Sequence, residues 1–552
     1  MAGGSNTLNA LVKSDVFKFQ TPPRADLQRK IRAMSAICKK YGIDYYYMLW
    51  EPFLPKLAGD LDQYPKEALG KVKRPWGGDK DGLDITLCVN SPIVREHYRN
   101  MIEKFVREFP DVRGVLFYNM DGSSWLCTPE LCDRCKIVCK DSPQNEHNPW
   151  EAQASLVTTL AEAAHKVNPA FDFRLWGTVH YHGERCSKLL HAAEGYASLL
   201  SNWNGSDHDI MVADAAVPTS GFLESQKICK ERKIPFFALS CFSNLEPVPH
   251  SLPFPFHVCD TLKKFKGWGV QCIEEHTGPI PGHNPINALV MKEFQCNPDR
   301  NPKEFLSGLS VRQFGKKAGP WMCRAWEEIE KAFDVWNDMP FNPFCGSQFH
   351  LSIGGDSFPE PILPDLAEKY NYENAIRIKV EPFKAAEYQK FKEQALLDKM
   401  ILVNGYLARA VKYAKKAVAA ASEKEFIGIC YFEGVSGRPT CKEYAELNYA
   451  SIAIADALCR QRGNRLRAYH LLTEIENTRA GGDEKSAKTK EKLYRELVRE
   501  DLGVQEGFCE LLVGFAKTRP GYTRASLTDR ELSDWLSTTL ATIKTMKECL
   551  DN

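Results

Sequence analysis

Residues 112–139 read VRGVLFYNMDGSSWLCTPELCDRCKIVC. Arg113 to Asn119 is a short apolar, β-branched and aromatic run preceded by a helix-like segment, the pattern of a parallel strand buried on both faces. Asp121 falls where that strand should end. In α/β sheets and barrels chemistry gathers at the carboxyl ends of the strands, where loops vary without disturbing the core. Asp121, followed by Gly-Ser-Ser, is therefore the first catalytic candidate.

The same grammar of helix then strand recurs on both sides. Asp26 to Tyr41 places Leu27, Ile31, Met34, Ile37 and Cys38 on one helical face, with Gly42 as the stop signal, and Ile43 to Trp50 follows as a strand closed by Glu51-Pro52. Ser91 caps a helix over 92–109 that leads into the strand before Asp121. A helix over 149–168 precedes the strand 171–178, which opens into His180, His182 and Glu184. Residues 195–203 read as a strand delivering Asn204, Asp207, His208 and Asp209, and a helix over 220–232 feeds the strand 234–241. A helix over 260–266 precedes Gly269 to Ile273, which presents Glu274, Glu275 and His276. Alternation of this kind predicts an α/β fold, a (β/α)8-type (TIM) barrel. Six strands are clear and Val16 to Gln20 is a seventh candidate, so the barrel is expected to be incomplete at its N-terminus, its gap covered by the N-terminal stretch and by helices or, alternatively, by a homodimer contact.

Beyond Pro285 helices dominate, over 286–295, 302–314 and 320–336. Residues 337–376 form an irregular connection rich in Pro, Gly and Phe. An α-helical C-terminal domain over 377–552 follows, with main segments at 385–421, 442–460, 466–477 and 487–518. The barrel domain is thus assigned to 1–336.

Composition narrows the function classes. Lys and Arg total 72 against 71 Asp and Glu, a balance that gives no overall field for nucleic acid or an anionic membrane. The first residues lack a basic segment leading into an apolar one, and no run of about 18 apolar residues occurs. Nineteen cysteines, an odd number spread over both halves, suit reduced thiols, so a cytoplasmic location is expected.

The chemistry-bearing residues cluster after strands. Asp121, Glu274, Glu275 and Asp207 are the catalytic candidates, because paired carboxylates, one protonated and one ionised, are the apparatus of glycoside hydrolysis. Each could equally serve as a solvated rim charge or a helix cap. Trp50, Trp125, Trp176 and Trp203, with Glu51, His180, His182, Asn202, His208 and His276, are the substrate-binding candidates, since flat rings beside polar groups suit sugar faces; burial in the core is the competing role for each Trp. The histidine spacing matches no metal-ligand motif, and no cofactor is required for catalysis. Cys127, Cys132, Cys135 and Cys139 form C-x4-C-x2-C-x3-C, more compact than the two separated pairs of a typical structural zinc site, so free thiols or a disulfide that pins the loop are expected ahead of a structural zinc or an iron–sulfur cluster.

The segments YGIDYYYMLWEP (41–52), NMDGSSWLC (119–127) and GWGVQCIEEHTGPIPGHNPINALVMKEFQCNPDRNPKEFLSGLSVRQFGKKAG (267–319) resemble the catalytic barrel of family 67 α-glucuronidases and related endo-β-N-acetylglucosaminidase-like barrel hydrolases. The resemblance covers about residues 26–335. It implies that Asp121, before Gly122, stands where those α-glucuronidases carry a general-acid Glu, and that Asp207 or Asp209 corresponds to part of the base. The family's Glu after the seventh strand has no counterpart in ALSCFSNLEP unless Glu246 supplies it, while Glu274 and Glu275 resemble the acidic last strand of the hexosaminidase-like relatives. It also implies that an N-terminal domain and first strands precede this sequence in full-length relatives. The expected activity is hydrolysis of a glycosidic bond in a complex glycan; the alternative is a non-catalytic glycan-binding or scaffold protein on a degenerate barrel.

Overall fold

The computed structural model describes residues 7–19, 22–52, 61–73, 83–118, 126–138, 150–177, 210–214, 220–240, 252–270, 272–275, 285–337, 394–427, 439–518 and part of 537–550. They form two compact units, the first of residues 1–240 with 270–274, the second of 241–269 with 275–552.

The first unit is built on a sheet of six strands: β1 (Tyr46–Leu49), β4 (Gly114–Tyr118), β5 (Asp172–Gly177), β6 (Ile210–Asp214), β7 (Phe236–Ser240) and β8 (Cys272–Glu275), lying side by side in that order. β1 to β7 pair in parallel. The strands lie in chain order, without the reversal of order that marks a doubly wound sheet. A closed eight-stranded barrel is not what the described residues form: six of their eight strands make this sheet, and among the described residues β1 and β8 do not pair. A separate antiparallel hairpin, β2 (Leu69–Lys73) with β3 (Leu83–Leu87), lies between β1 and β4 in sequence.

Helices α1 (Ala25–Lys40), α2 (Pro92–Glu108), α3 (Asp133–Val138), α4 (Trp150–Val167) and α5 (Ser220–Glu231) belong to this unit. α1 ends in Gly42 at φ +69°, with the Ile43 N–H on the Cys38 carbonyl, a left-handed stop that a glycine takes without strain. Its apolar stripe is only partly used: Ile31 is buried, whereas Met34 and Ile37 are exposed. α2 starts with Pro92 in its first turn and buries Val94, His97, Tyr98, Met101, Ile102, Phe105 and Val106, the stripe its three-to-four spacing dictates. Gly114 is required where β4 meets β5, since a β-carbon there would lie 2.1 Å from the Asp172 carbonyl oxygen.

Residues 15–19 are turns and bends, not the strand expected at Val16 to Gln20. The segment nevertheless contributes to packing: Leu8, Leu11, Val12 and Phe17 join Tyr47, Leu49 and Phe105 in the buried core. The strand expected at 195–203 lies outside the described residues, and the place between β5 and β7 is held by Ile210–Asp214. The last strand begins at Cys272 rather than Gly269.

The second unit holds α6 (Pro255–Gly267), α7 (Pro285–Cys296), α8 (Pro302–Asn337), α9 (Gln394–Ala420), α10 (Cys441–Ala480) and α11 (Glu484–Thr518). α8 is two helical arms meeting at Gly315, whose φ of 82° only glycine adopts cheaply. Glu328 of α8 accepts hydrogen bonds from Lys331 and from Arg409 of α9, each at 2.6 Å. Thr440 and Glu443 close a capping box at the start of α10. The two helices expected at 442–460 and 466–477 are one, because Gly463 is a packing position: a β-carbon there would meet Asn404 Nδ2 at 2.5 Å. No described helix is long and apolar enough to cross a membrane.

Candidate active site

Parallel pairing brings the carboxyl ends of the strands to one edge of the sheet, and the acidic candidates have to be judged against that edge. β1 delivers Trp50, 36% exposed, and Glu51, 7% exposed. Glu51 Oε1 accepts the Leu8 N–H at 2.9 Å and Oε2 accepts the Tyr98 hydroxyl at 3.0 Å. Both oxygens are therefore engaged in fastening the N-terminal segment and α2 to the end of β1. Trp176 of β5 lies level with Tyr118 of β4 and Val212 of β6, and Asp214, the last residue of β6, lies level with Leu239 of β7. Glu274 and Glu275 are the last two positions of β8.

Asp121 and Trp125 follow β4 in the chain but lie outside the described residues, as do His180, His182, Asn202, Trp203, Asp207, His208 and His276. Asp207 and His208 come before Ile210, so in sequence they lead into β6 instead of out of it. The carboxylate that ends this strand is Asp214, which the sequence reading passed over. Its signal was present in IMVAD, an apolar run closed by an acid.

The opposite edge is closed by a polar network. Tyr46 at the start of β1 donates its hydroxyl to Asp172 Oδ2 at 2.5 Å, and Arg113 grips both oxygens of the same carboxylate at 3.1 and 3.3 Å. The Arg174 guanidinium lies 3.7 Å from the centre of the Tyr46 ring. Burial, and then the Asp172 contact, push the Tyr46 hydroxyl up to about 12. Such ion-paired amino ends hold a sheet together and leave its carboxyl edge for chemistry.

Of the cysteine candidates, Cys127, Cys132 and Cys135 converge, and the fourth member of their cluster is Cys88, directly after β3. Cys139 lies outside the described residues. Hydrogen bonds from Cys127, Cys132 and Cys135, then from Arg134, hold the Cys88 thiol well below its ordinary range. Within the same set of mutual hydrogen bonds Cys132 is lowered, chiefly by Cys127 and Cys135, and Cys127 is raised, chiefly by Cys132 and Cys135. Cys88 was invisible to a reading of local spacing, because the hairpin that carries it is distant in sequence.

No family description matches the sequence, and no curated protein matches it. Solved structures do. A family 138 glycoside hydrolase (GH138) targeting pectin rhamnogalacturonan II aligns with 99% of this chain and 60% of its own, at a TM-score of 0.54 and 14% identity. The family 89 glycoside hydrolase from Clostridium perfringens, in complex with PUGNAc, aligns with 94% of this chain and 47% of its own, at 0.45 and 10%. The O-GlcNAc hydrolase of Thermobaculum terrenum, as a point mutant, gives 0.34 and 10%, over 97% of this chain and 92% of its own. The chain thus spans about three fifths of the family 138 enzyme, and what it has in common with that enzyme is its fold.

Proposed function

We propose that this chain is a glycoside hydrolase acting on a complex glycan, with its site at the carboxyl edge of the six-stranded sheet. That sheet is read as the larger part of a (β/α)8-type barrel. The observation that carries the proposal is the position of the acids: Asp121 follows β4, Asp214 closes β6, and Glu274 and Glu275 close β8. Glycosidic bond cleavage requires a proton donor on one side of the bond and a second carboxylate on the other, roughly 5 to 10 Å away depending on whether configuration is retained or inverted. Asp121 is assigned the proton donor and one of Glu274, Glu275 or Asp214 the second carboxylate. Trp50 and Trp176 are assigned to the sugar faces.

The test is a panel of aryl glycosides, including glucuronides and N-acetylhexosaminides, together with oligosaccharides of pectic rhamnogalacturonan II. Turnover of at least one substrate is expected, and Asp121→Asn should lower its rate about 100-fold or more, the typical worth of a general acid. Adjacent positions of a strand serve opposite faces of the sheet, so Glu274→Gln and Glu275→Gln should differ sharply in effect. Sugar binding without turnover of any substrate would instead identify a glycan-binding protein on this fold.

A further inference from the structure

We propose that Cys88, Cys127, Cys132 and Cys135 form a mononuclear zinc site that fastens the β2–β3 hairpin to the segment following β4. The chain brings the four residues together from three directions. Cys88 directly follows β3, and its N–H donates to the Ala68 carbonyl at 2.8 Å, clasping the open end of the hairpin. The Thr128 N–H donates to the Lys71 carbonyl at 2.8 Å, which lays Cys127 along β2. Cys132 precedes α3 and accepts the Lys136 N–H on its carbonyl at 2.9 Å, so that Cys135, three residues on, returns to the same side. A Cys-x2-Cys turn opening a helix, completed by two cysteines from elsewhere, is the ligand arrangement of a structural zinc site.

The sulfurs have the geometry of a single ion's shell. All four lie within 4.8 Å of one another. Cys88 Sγ is 3.7 Å from both Cys132 Sγ and Cys135 Sγ. A tetrahedron with Zn–S bonds of about 2.3 Å has edges of about 3.8 Å, whereas a disulfide needs about 2.05 Å. All four are free thiols, and each is buried. Two N–H donors are aimed at sulfur, Asn90 Nδ2 at Cys135 and Arg134 Nε at Cys88, each at 3.4 Å. Arg134 is held in place by a second bond to the Leu69 carbonyl at 2.9 Å. Donors and a cation directed at sulfur suit thiolates around a divalent ion, whose net charge of about −2 they offset. Space is reserved as well: a β-carbon on Gly70 would stand 2.0 Å from Cys127 Sγ. An iron–sulfur cluster has to hold its own atoms between the cysteines, and sulfurs this close surround one ion only.

The experiment reads metal, not turnover, and so is independent of the hydrolase assignment. The 552-residue chain purified without chelator should contain about one zinc per molecule by mass spectrometry. Cobalt exchanged into it should give the charge-transfer and ligand-field bands of a tetrahedral tetrathiolate. Cys132→Ser and Cys135→Ser should each lower zinc below about 0.2 equivalents, while Cys229→Ser, at a buried thiol outside the cluster, should leave it unchanged. Should the serine variants fail to fold, Asn90→Ala keeps all four ligands and is expected to weaken zinc binding about 10- to 100-fold. Less than about 0.2 equivalents in the unaltered chain, not raised by zinc under reducing conditions, would overturn the proposal. So would iron in place of zinc, or full zinc retention by Cys132→Ser.

Discussion

His97 shows how a single buried side chain ties this fold to pH. The Ser14 hydroxyl accepts the N–H groups of Val16 and Phe17, at 3.1 and 3.2 Å, and lies 2.7 Å from His97 Nδ1. Having accepted twice, the hydroxyl gives its proton to Nδ1, which assigns the ring as neutral with its hydrogen on Nε2. Burial pushes the imidazole down to about 3. Between about pH 6.5 and pH 3 the unfolded chain therefore binds a proton that the folded chain does not, and stability falls as pH falls through that window. The slope is at most about 1.4 kcal/mol per pH unit. In the second unit, burial, with a smaller contribution from Lys264, takes His257 down to about 4 and gives the same sign. Urea midpoints at about pH 7.5 and about pH 5.5 measure this, with a lower midpoint expected at the lower pH and a smaller drop in His97→Gln. Identical midpoints at the two pH values would remove both histidines from the account.

Among the elements, α8 makes the sharpest distinction between glycines that serve geometry and glycines that do not. A β-carbon on Gly319 would stand 2.8 Å from the backbone of Ser310, across the bend at Gly315, while Gly308 has only Arg312 Nη1 within reach, at 3.9 Å. Gly319→Ala should destabilise by about 1–3 kcal/mol through overpacking. Gly308→Ala should stabilise by about 0.5–1 kcal/mol through helix propensity. Thermal midpoints of the two variants should move in opposite directions, and a shared direction would show that the bend does not depend on close approach. The same elements show what sequence could reveal. The helices over 92–108 and 150–167 and the strand over 114–118 were legible because each carries a local period of apolar residues. The hairpin was not legible, since LGKVK and LDITL are short and find their meaning only in pairing with one another. Cys88 was lost with it, and so was the cluster's fourth member. Asp121 was legible from its place after the strand over 114–118 and from the Gly122 that follows it.

At the scale of the molecule, the N-terminal segment acts as part of the first unit's core. Leu8, Leu11, Val12 and Phe17 are buried with Tyr47 and Leu49, and the Leu8 N–H is bound by Glu51. Deleting residues 1–17 removes about 1.5–3 kcal/mol of burial for each of those side chains and takes one partner from a buried carboxylate, which costs a further 1–3 kcal/mol or so. Light scattering should then show association or precipitation of the shortened chain where the full chain gives one discrete species. A shortened chain as soluble and as stable as the full one would contradict this role.

The first unit is discontinuous, since residues 270–274 return to it after 241–269, which belong to the second unit. During synthesis the outer edge of β7 emerges complete while its neighbour β8 is still about 30 codons away, a wait of roughly 1.5 to 6 seconds at ordinary elongation rates. An open strand edge left waiting is a template for the wrong partner. The residues that leave the ribosome during that interval include Pro247, Pro249, Pro253 and Pro255. Proline lacks the N–H that a ladder needs, so the nearest newly made chain is poorly able to add itself to that edge. The intervening chain is thus a poor competitor for the edge on which β8 lies, the strand that ends in Glu274 and Glu275.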